Sequence, residues 1–471
     1  MKKGAKLTLL SFLGLIVIFV GMFIYKNQTK KVAIGEITFK PQISSDTLMP
    51  EDDMKEDLDY LVEKLKTVHP KALHGLSEEQ ENIVKDSYVK IEKHLKAGEF
   101  YFVANKIACS FKDAHTSFHL CENENDNDKT IELPKVWLND GMYVNENFGE
   151  LQKGDKIQSI GDKTPDELLE ELTKIVPAEN QQWVRVQGSS ELTKEPYLNY
   201  LGLIREDKVN IEVLRDGETI DIELPLIESK YSVTKVLNQN LAQNDWVKYT
   251  IDKENSLGIF TLNQCTNNDY YKNVLNNFFK DVQKNKIDNI VIDLRENTGG
   301  DSSVVNEFLR YLDVDEYKNY GAEVRFSKDV KQQRGQTFIF KYIKDSGKKV
   351  KNEKVNDEKL IFKGNTFILT SPITFSSGNW FAVMFKDNKL GTIVGEPTGN
   401  QPSSYGDILT FQLPNSGFIF TVSYKKFTRP NISKDNENCL NPDIIVYTTI
   451  DDILNDKDPQ MGKVLEIIKG N

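Results

Sequence analysis

The chain contains only five histidines, and none lies beyond His119. A nucleophile later in the chain that uses an imidazole base must therefore draw it from far upstream. There are four cysteines, Cys109, Cys121, Cys265 and Cys439, and no C-x-x-C pair. The usual zinc spacings are thus excluded, and neither a metal nor an organic cofactor is expected. Outside the cytoplasm four cysteines permit three disulfide pairings, and plain buried thiols are an equal expectation. A basic excess is missing too: Lys and Arg number 60 against 71 Asp and Glu, a net charge of -11. That excludes a general nucleic-acid surface, which requires a basic stripe. No internal repeat or low-complexity tract occurs. Long uncharged apolar runs are absent with one exception.

That exception is Leu7–Tyr25, nineteen residues without a charge. At 1.5 Å per residue this length just spans a bilayer core of about 30 Å. Lys2, Lys3 and Lys6 precede it, and Lys26, Lys30 and Lys31 follow it. The charge comparison is nearly a tie, broken by the N-terminal amine. No A-x-A cleavage pattern and no lipidation cysteine follows Tyr25. The expectation is an uncleaved signal anchor, with residues 1–6 cytoplasmic and the C-terminal body extracytoplasmic in the cell membrane; a cleaved signal peptide is the alternative.

With 471 residues the chain is long enough for two or three domains. Residues 26–50 read as a polar linker. Residues 51–112 read as a helical cap, because Met54, Leu58, Leu61, Val62 and Leu65 recur at three- and four-residue steps before Pro70. Residues 113–240 read as β-rich, with a strand pair around the Asp216–Gly217 turn. Residues 245–460 alternate strands and helices, an α/β pattern. Within them Asn289–Leu294 and Thr366–Thr370 are short apolar runs suited to strands covered on both faces. A hairpin is expected from Asp407–Leu413 and Phe418–Tyr424 around Asn415-Ser416-Gly417.

Ser376 stands where a buried strand ends and an amphipathic helix begins. Backbone N–H groups and the positive end of the helix dipole are exposed there, so a serine at that point can be a nucleophile whose oxyanion meets those donors. The alternative is that Thr374 and Ser376 merely cap the helix. Gly299–Gly300 follows the strand at 289–294 and allows close approach of a substrate carbonyl, or makes an ordinary turn. Ser302 and Ser303 only echo a chymotrypsin-type motif in the wrong order. Because every histidine precedes residue 120, the Ser–acid–His order of α/β-hydrolases is impossible for Ser376, which argues against a lipase or esterase.

The segments DLRENTGGD, ILTSPITFSSGNWFA, IVGEPTGNQPSSYGD, LPNSG and NPDIIV follow one another in the chain. In this order and spacing the sequence resembles the tail-specific (carboxy-terminal processing) and tricorn-core serine peptidases, clearly over residues 285–445 and loosely over 51–235. The resemblance implies a ClpP/crotonase-like α/β catalytic domain, and a PDZ-like module marked by Gly154, Asp155, Ile157, Ile160 and Gly161. Such a module engages an extended chain by strand addition or gates the cleft. It implies Ser376 as nucleophile, with oxyanion donors at the backbone N–H of Ser377 and of Gly299 or Gly300. The lysine of the Ser-Lys branch should fall near Gln401, where there is none. FKDAHTSFHL resembles the D-x-H-T stretch of the histidine-dependent branch, which implies His115 as base. Glu437 lies near the position of the expected acid; Asp435 and Asp113 are alternatives. His69, His74, His94 and His119 read as structural or solvated. The implied function is a membrane-anchored extracytoplasmic serine endopeptidase, acting on polypeptides through an acyl-enzyme. The alternative is a non-catalytic peptide- or lipid-binding protein on the same fold.

Overall fold

The computed structural model describes residues 39–119, 129–229, 246–336 and 342–470. The expected span Leu7–Tyr25 and Cys121 lie outside them, and among the described residues no helix is long and apolar enough to cross a membrane. Cys109, Cys265 and Cys439 are buried free thiols.

The first helix is Glu51–Val68, and its periodic residues Met54, Leu58, Leu61, Val62 and Leu65 are all buried. Acidic Glu51, Asp52 and Asp53 fill its first turn, where the helix dipole favours negative charge. Pro70 cannot continue the helix, and His69 leaves it in an extended conformation. Ser77 and Gln80 form a capping box that starts the helix Glu78–Lys90. The third helix, Ala97–Cys109, is buried over most of its length.

These helices share one hydrophobic core with the hairpin Tyr405–Gln412 and Ile419–Thr428. Phe420 of the hairpin meets Phe118 in a stacked contact at 5.3 Å and the edge of Tyr60 at 6.3 Å. Burying such a phenylalanine contributes roughly 1.5–3 kcal/mol. The buried carboxylate of Asp57 accepts the N–H of Asn415 at 2.8 Å and of Ser416 at 2.9 Å, which clasps the hairpin's turn to the first helix.

The middle of the chain forms a five-stranded antiparallel sheet: Lys135–Leu138, Gly141–Val144, Lys156–Ile160, Lys208–Arg215 and Glu218–Pro225, in that order. Asp216 and Gly217 both have positive φ (50° and 86°), as a two-residue hairpin turn of the primed type requires. This region is less purely β than the sequence suggests. Three helices, Pro165–Leu172, Gln181–Glu191 and Glu195–Tyr200, intervene between its third and fourth strands. Asn180 starts the second of them by accepting the Trp183 N–H at 3.0 Å.

The C-terminal α/β part is built on a six-stranded sheet ordered Val247–Asp252, Leu257–Leu262, Asn289–Asp293, Asn365–Thr370, Thr392–Gly395 and Ile444–Ile445. Its first pair is antiparallel and the rest are parallel. Helices Asp269–Asn285, Ser303–Leu309 and Ser376–Asp387 cover one face and helix Pro459–Gly470 the other, so the central strands are apolar on both sides. The neighbouring strands Asn289–Asp293 and Asn365–Thr370 run in register, Ile292 opposite Ile368. Their carboxyl ends therefore release two loops side by side, the usual place for a site in an open parallel sheet.

Candidate active site

The first of those loops carries Gly299 and Gly300, and the second leads to Ser376. Asn297 locks them together. Its backbone carbonyl accepts the Phe375 N–H at 2.9 Å, and its side-chain amide donates to Leu262 O at 2.7 Å. The Thr374 hydroxyl donates to Leu294 O at 2.8 Å. The residue that caps the helix Ser376–Asp387 is Phe375, without a side-chain hydrogen bond. Neither Thr374 nor Ser376 is thus used as a cap. Ser376 has φ +49°, a left-handed conformation that costs a non-glycine residue roughly 1–2 kcal/mol. Its N–H donates to Asn400 Oδ1 at 3.0 Å, which helps hold the strained turn.

Ser376 Oγ lies 3.1 Å from His115 Nε2, across 261 positions of sequence. His115 stands in the turn before a two-residue strand, Phe118–His119, that is added to the C-terminal hairpin: Phe118 pairs with Phe420, and the Thr421 hydroxyl donates to the His115 carbonyl at 2.7 Å. The imidazole packs on Phe375 with ring centres 4.9 Å apart, and Phe375 stacks on Trp183 at 4.0 Å.

Behind the imidazole stands Asp113, fully buried. His115 Nδ1 faces its Oδ1 at 3.6 Å, beyond hydrogen-bond range. That oxygen accepts the backbone N–H of His115 at 3.0 Å, while Oδ2 accepts from Thr116 Oγ1 at 2.7 Å and is 3.1 Å from His69 Nε2. His69 Nδ1 accepts the Lys71 N–H, so its proton sits on Nε2 and is donated to Asp113. Burial lowers the pKa of His69, in keeping with a neutral donor. Asp113, despite its burial, is held well below the usual carboxylate range by His115 and His69. Burial disfavours a charged His115, but the Asp113 carboxylate, aided by Glu179 and Asp407, prevails and raises its pKa.

Glu437 is not part of this cluster. It is bound to Arg429 Nη1 at 2.5 Å, and Arg429 also holds Asp387 through two bonds of 3.0 and 2.7 Å. A fully buried guanidinium must be paired, and it claims this carboxylate for the fold. Among the described residues neither Glu437 nor Asp435 hydrogen-bonds the imidazole. The carboxylate that sequence reasoning overlooked is Glu179, just before the helix Gln181–Glu191. One of its oxygens, one of Asp113 and a ring nitrogen of His115 lie within 4.8 Å of one another. No motif marks it; only the tertiary fold brings it in. His74 and His94 are exposed.

The two expected glycines are not equivalent. Gly299 donates its N–H to Asn297 Oδ1 at 2.9 Å. Among the described residues the N–H groups of Gly300 and Ser377 meet no acceptor, while Ser377 Oγ donates to Gly300 O at 2.7 Å and ties the two loops together. Gly299 is needed for space: a Cβ there would lie 2.6 Å from Ser376 Cβ and 3.1 Å from its Oγ. Gln401, at the position where the Ser-Lys branch places its lysine, is joined to the site through its carbonyl, which accepts from Asn379 Nδ2 at 3.3 Å. A cavity of 360 Å³ opens beside the loop before Ser376, lined by Lys135, Trp137, Arg185, Ser371, Ile373 and Tyr447 among others.

Residues 256–446 match the sequence model of Peptidase family S41. No curated protein matches the chain in sequence. Among solved structures it is similar to mature CPAF complexed with lactacystin, at 13% identity and a TM-score of 0.63, covering 89% of this chain and 98% of that one. A second structure of mature CPAF gives 13% identity and a TM-score of 0.61, over 88% and 96% of the two chains. At that identity the likeness is one of fold. A photosystem II D1 C-terminal processing protease aligns with a TM-score of 0.43 at 13% identity, over 84% and 94%.

Proposed function

We propose, from the match of residues 256–446 to Peptidase family S41, that the chain hydrolyses peptide bonds through an acyl-enzyme on Ser376 with His115 as base. The observation that carries this reading is the 3.1 Å contact between His115 Nε2 and Ser376 Oγ. His115, neutral and bare at Nε2, takes the hydroxyl proton as Oγ attacks the substrate carbonyl. The Ser377 and Gly300 N–H groups, at a helix start and a glycine turn, are free to receive the developing oxyanion; losing one such donor typically costs on the order of 100- to 1,000-fold in rate. The nearby carboxylates favour the imidazolium that results, and this cation then protonates the leaving amine. Water repeats the sequence on the acyl-enzyme and frees the serine.

The substrate class is a polypeptide, as the family implies. The body is extracytoplasmic and tethered by Leu7–Tyr25, a proposal supported by the length and uncharged character of that segment. On this reading an extended substrate chain lies along the cavity lined by Lys135 and Trp137 of the five-stranded sheet and by Ser371 and Ile373 of the loop before Ser376.

The test uses the full chain in detergent with an unstructured protein as substrate. Hydrolysis and labelling by a serine-reactive phosphonate are expected for the parent and lost in Ser376→Ala and His115→Ala. Full hydrolysis by Ser376→Ala would refute the assignment. Absence of any adduct on Ser376 would favour a binding protein on this fold.

A further inference from the structure

Among the described residues, two buried polar atoms in this site have no hydrogen-bond partner: His115 Nδ1 and Glu179 Oε2. In the tautomer that leaves Nε2 bare, Nδ1 is a donor, and a carboxylate oxygen is an acceptor. Leaving both unpaired away from water is costly, and each is what the other lacks.

Glu179 is fixed in place by its other oxygen. Oε1 accepts from Asn400 Nδ2 at 3.2 Å and from the Ala114 N–H at 3.4 Å. Asn400 Oδ1 accepts the Ser376 N–H. The path from Ser376 Oγ through His115, Glu179 and Asn400 back to the Ser376 N–H is thus a ring lacking one bond. Asp113 is worse placed to supply that bond. Its two oxygens already serve His69, Thr116 and the His115 backbone. Glu437 is committed to Arg429.

We propose that Glu179 is the positioning residue of His115, its Oε2 accepting the Nδ1–H so that Nε2 stays bare for the Ser376 proton. The assignment rests on the peptidase reading for its purpose. The geometric claim stands apart from it. No covalent bond changes at Glu179; the hydrogen bond strengthens as the imidazole becomes cationic. Asp113, which approaches Nδ1 without bonding it, holds the backbone of the turn and adds negative charge. The role also makes the middle of the chain, from which Glu179 comes, a contributor to the catalytic relay. Burial first, and the Asp113 charge second, push the Glu179 carboxyl up to about 7. Its proton balance is set by Asp113 and His115, while His115 is faced by Asp113, Glu179 and Asp407.

The experiment compares the full chain with Glu179→Gln and Glu179→Asp. Glu179→Gln is expected to lower kcat on the order of 100-fold with KM changed less than about threefold. It should also move the His115 imidazole titration, followed by NMR and assigned by its loss in His115→Ala, to lower pH. Glu179→Asp, which keeps the charge, restores part of both and carries the comparison if Glu179→Gln folds poorly. Retention of kcat within about threefold in Glu179→Gln, or loss of kcat with an unmoved His115 titration, would overturn the proposal. The titration is readable whether or not peptides are cut. A parent chain that hydrolyses nothing therefore sinks the peptidase reading and leaves the Glu179 contact still tested.

Discussion

The substitution Gly299→Ala probes the site with a single methyl group. The added Cβ would stand 2.6 Å from Ser376 Cβ, 3.0 Å from Ser377 N and 3.1 Å from Ser376 Oγ. Carbon atoms in contact prefer about 3.5–4.0 Å, so roughly 1 Å of displacement is required. The displaced atoms are the proposed nucleophile and one oxyanion donor. Gly299 itself cannot yield cheaply, since at φ +110° it occupies a region that an alanine enters only with strain. A misplacement of about 1 Å in a reacting group can cost on the order of 100-fold. The expectation is therefore a kcat near one hundredth of the parent value, with slower phosphonate labelling of Ser376. The fold should survive with a lower Tm, because the clash is local to two loops. Peptide hydrolysis, labelling kinetics and thermal unfolding are measured on the same preparation. A folded Gly299→Ala chain with kcat within about threefold of the parent would refute the claim that this contact positions Ser376.

Three further outcomes follow from the same geometry. Asp387→Ala strips the buried Arg429 of its two-bond partner and leaves Glu437 as its remaining carboxylate, so denaturant unfolding should show a loss below the about 3–5 kcal/mol typical of a buried charge left wholly uncompensated. Asp57→Ala leaves the Asn415 and Ser416 N–H groups without their acceptor, a loss of about 1–3 kcal/mol per orphaned group that thermal unfolding would register; an unchanged Tm would show the turn to be held by other contacts. His115 works only when neutral, and its carboxylate neighbours raise its pKa, so kcat/KM should fall on the acid side with a midpoint above the ordinary value of about 6.5; a midpoint at or below that value contradicts the electrostatic picture.

The strands and helices that position the loops were legible because their patterns are local. Asn289–Leu294 reads as a doubly covered strand and Met54 to Leu65 as one helix face, and the structure contains both. His115 and Ser376 could be paired because short motifs mark each end. The acid was not legible for two physical reasons. A carboxylate at the right sequence position can be claimed by another partner, as Glu437 is by Arg429. A carboxylate without a motif can enter through tertiary packing alone, as Glu179 does. The two glycines differ by a hydrogen bond to Asn297 that no spacing reveals. The helices between the third and fourth strands of the middle sheet were missed because their buried residues, such as Trp183 and Val184, are few and their apolar pattern short.

His115 is held through its carbonyl and the short strand after it against Ile419–Thr428, some three hundred residues further along the chain. During synthesis a polypeptide released only as far as Ser376 has its hydroxyl but no seat for the imidazole. Such long-range pairing is slow to form. The proposed Ser376–His115 pair therefore assembles only once the hairpin has emerged and closed, so its reactivity follows the end of the fold rather than the arrival of the serine.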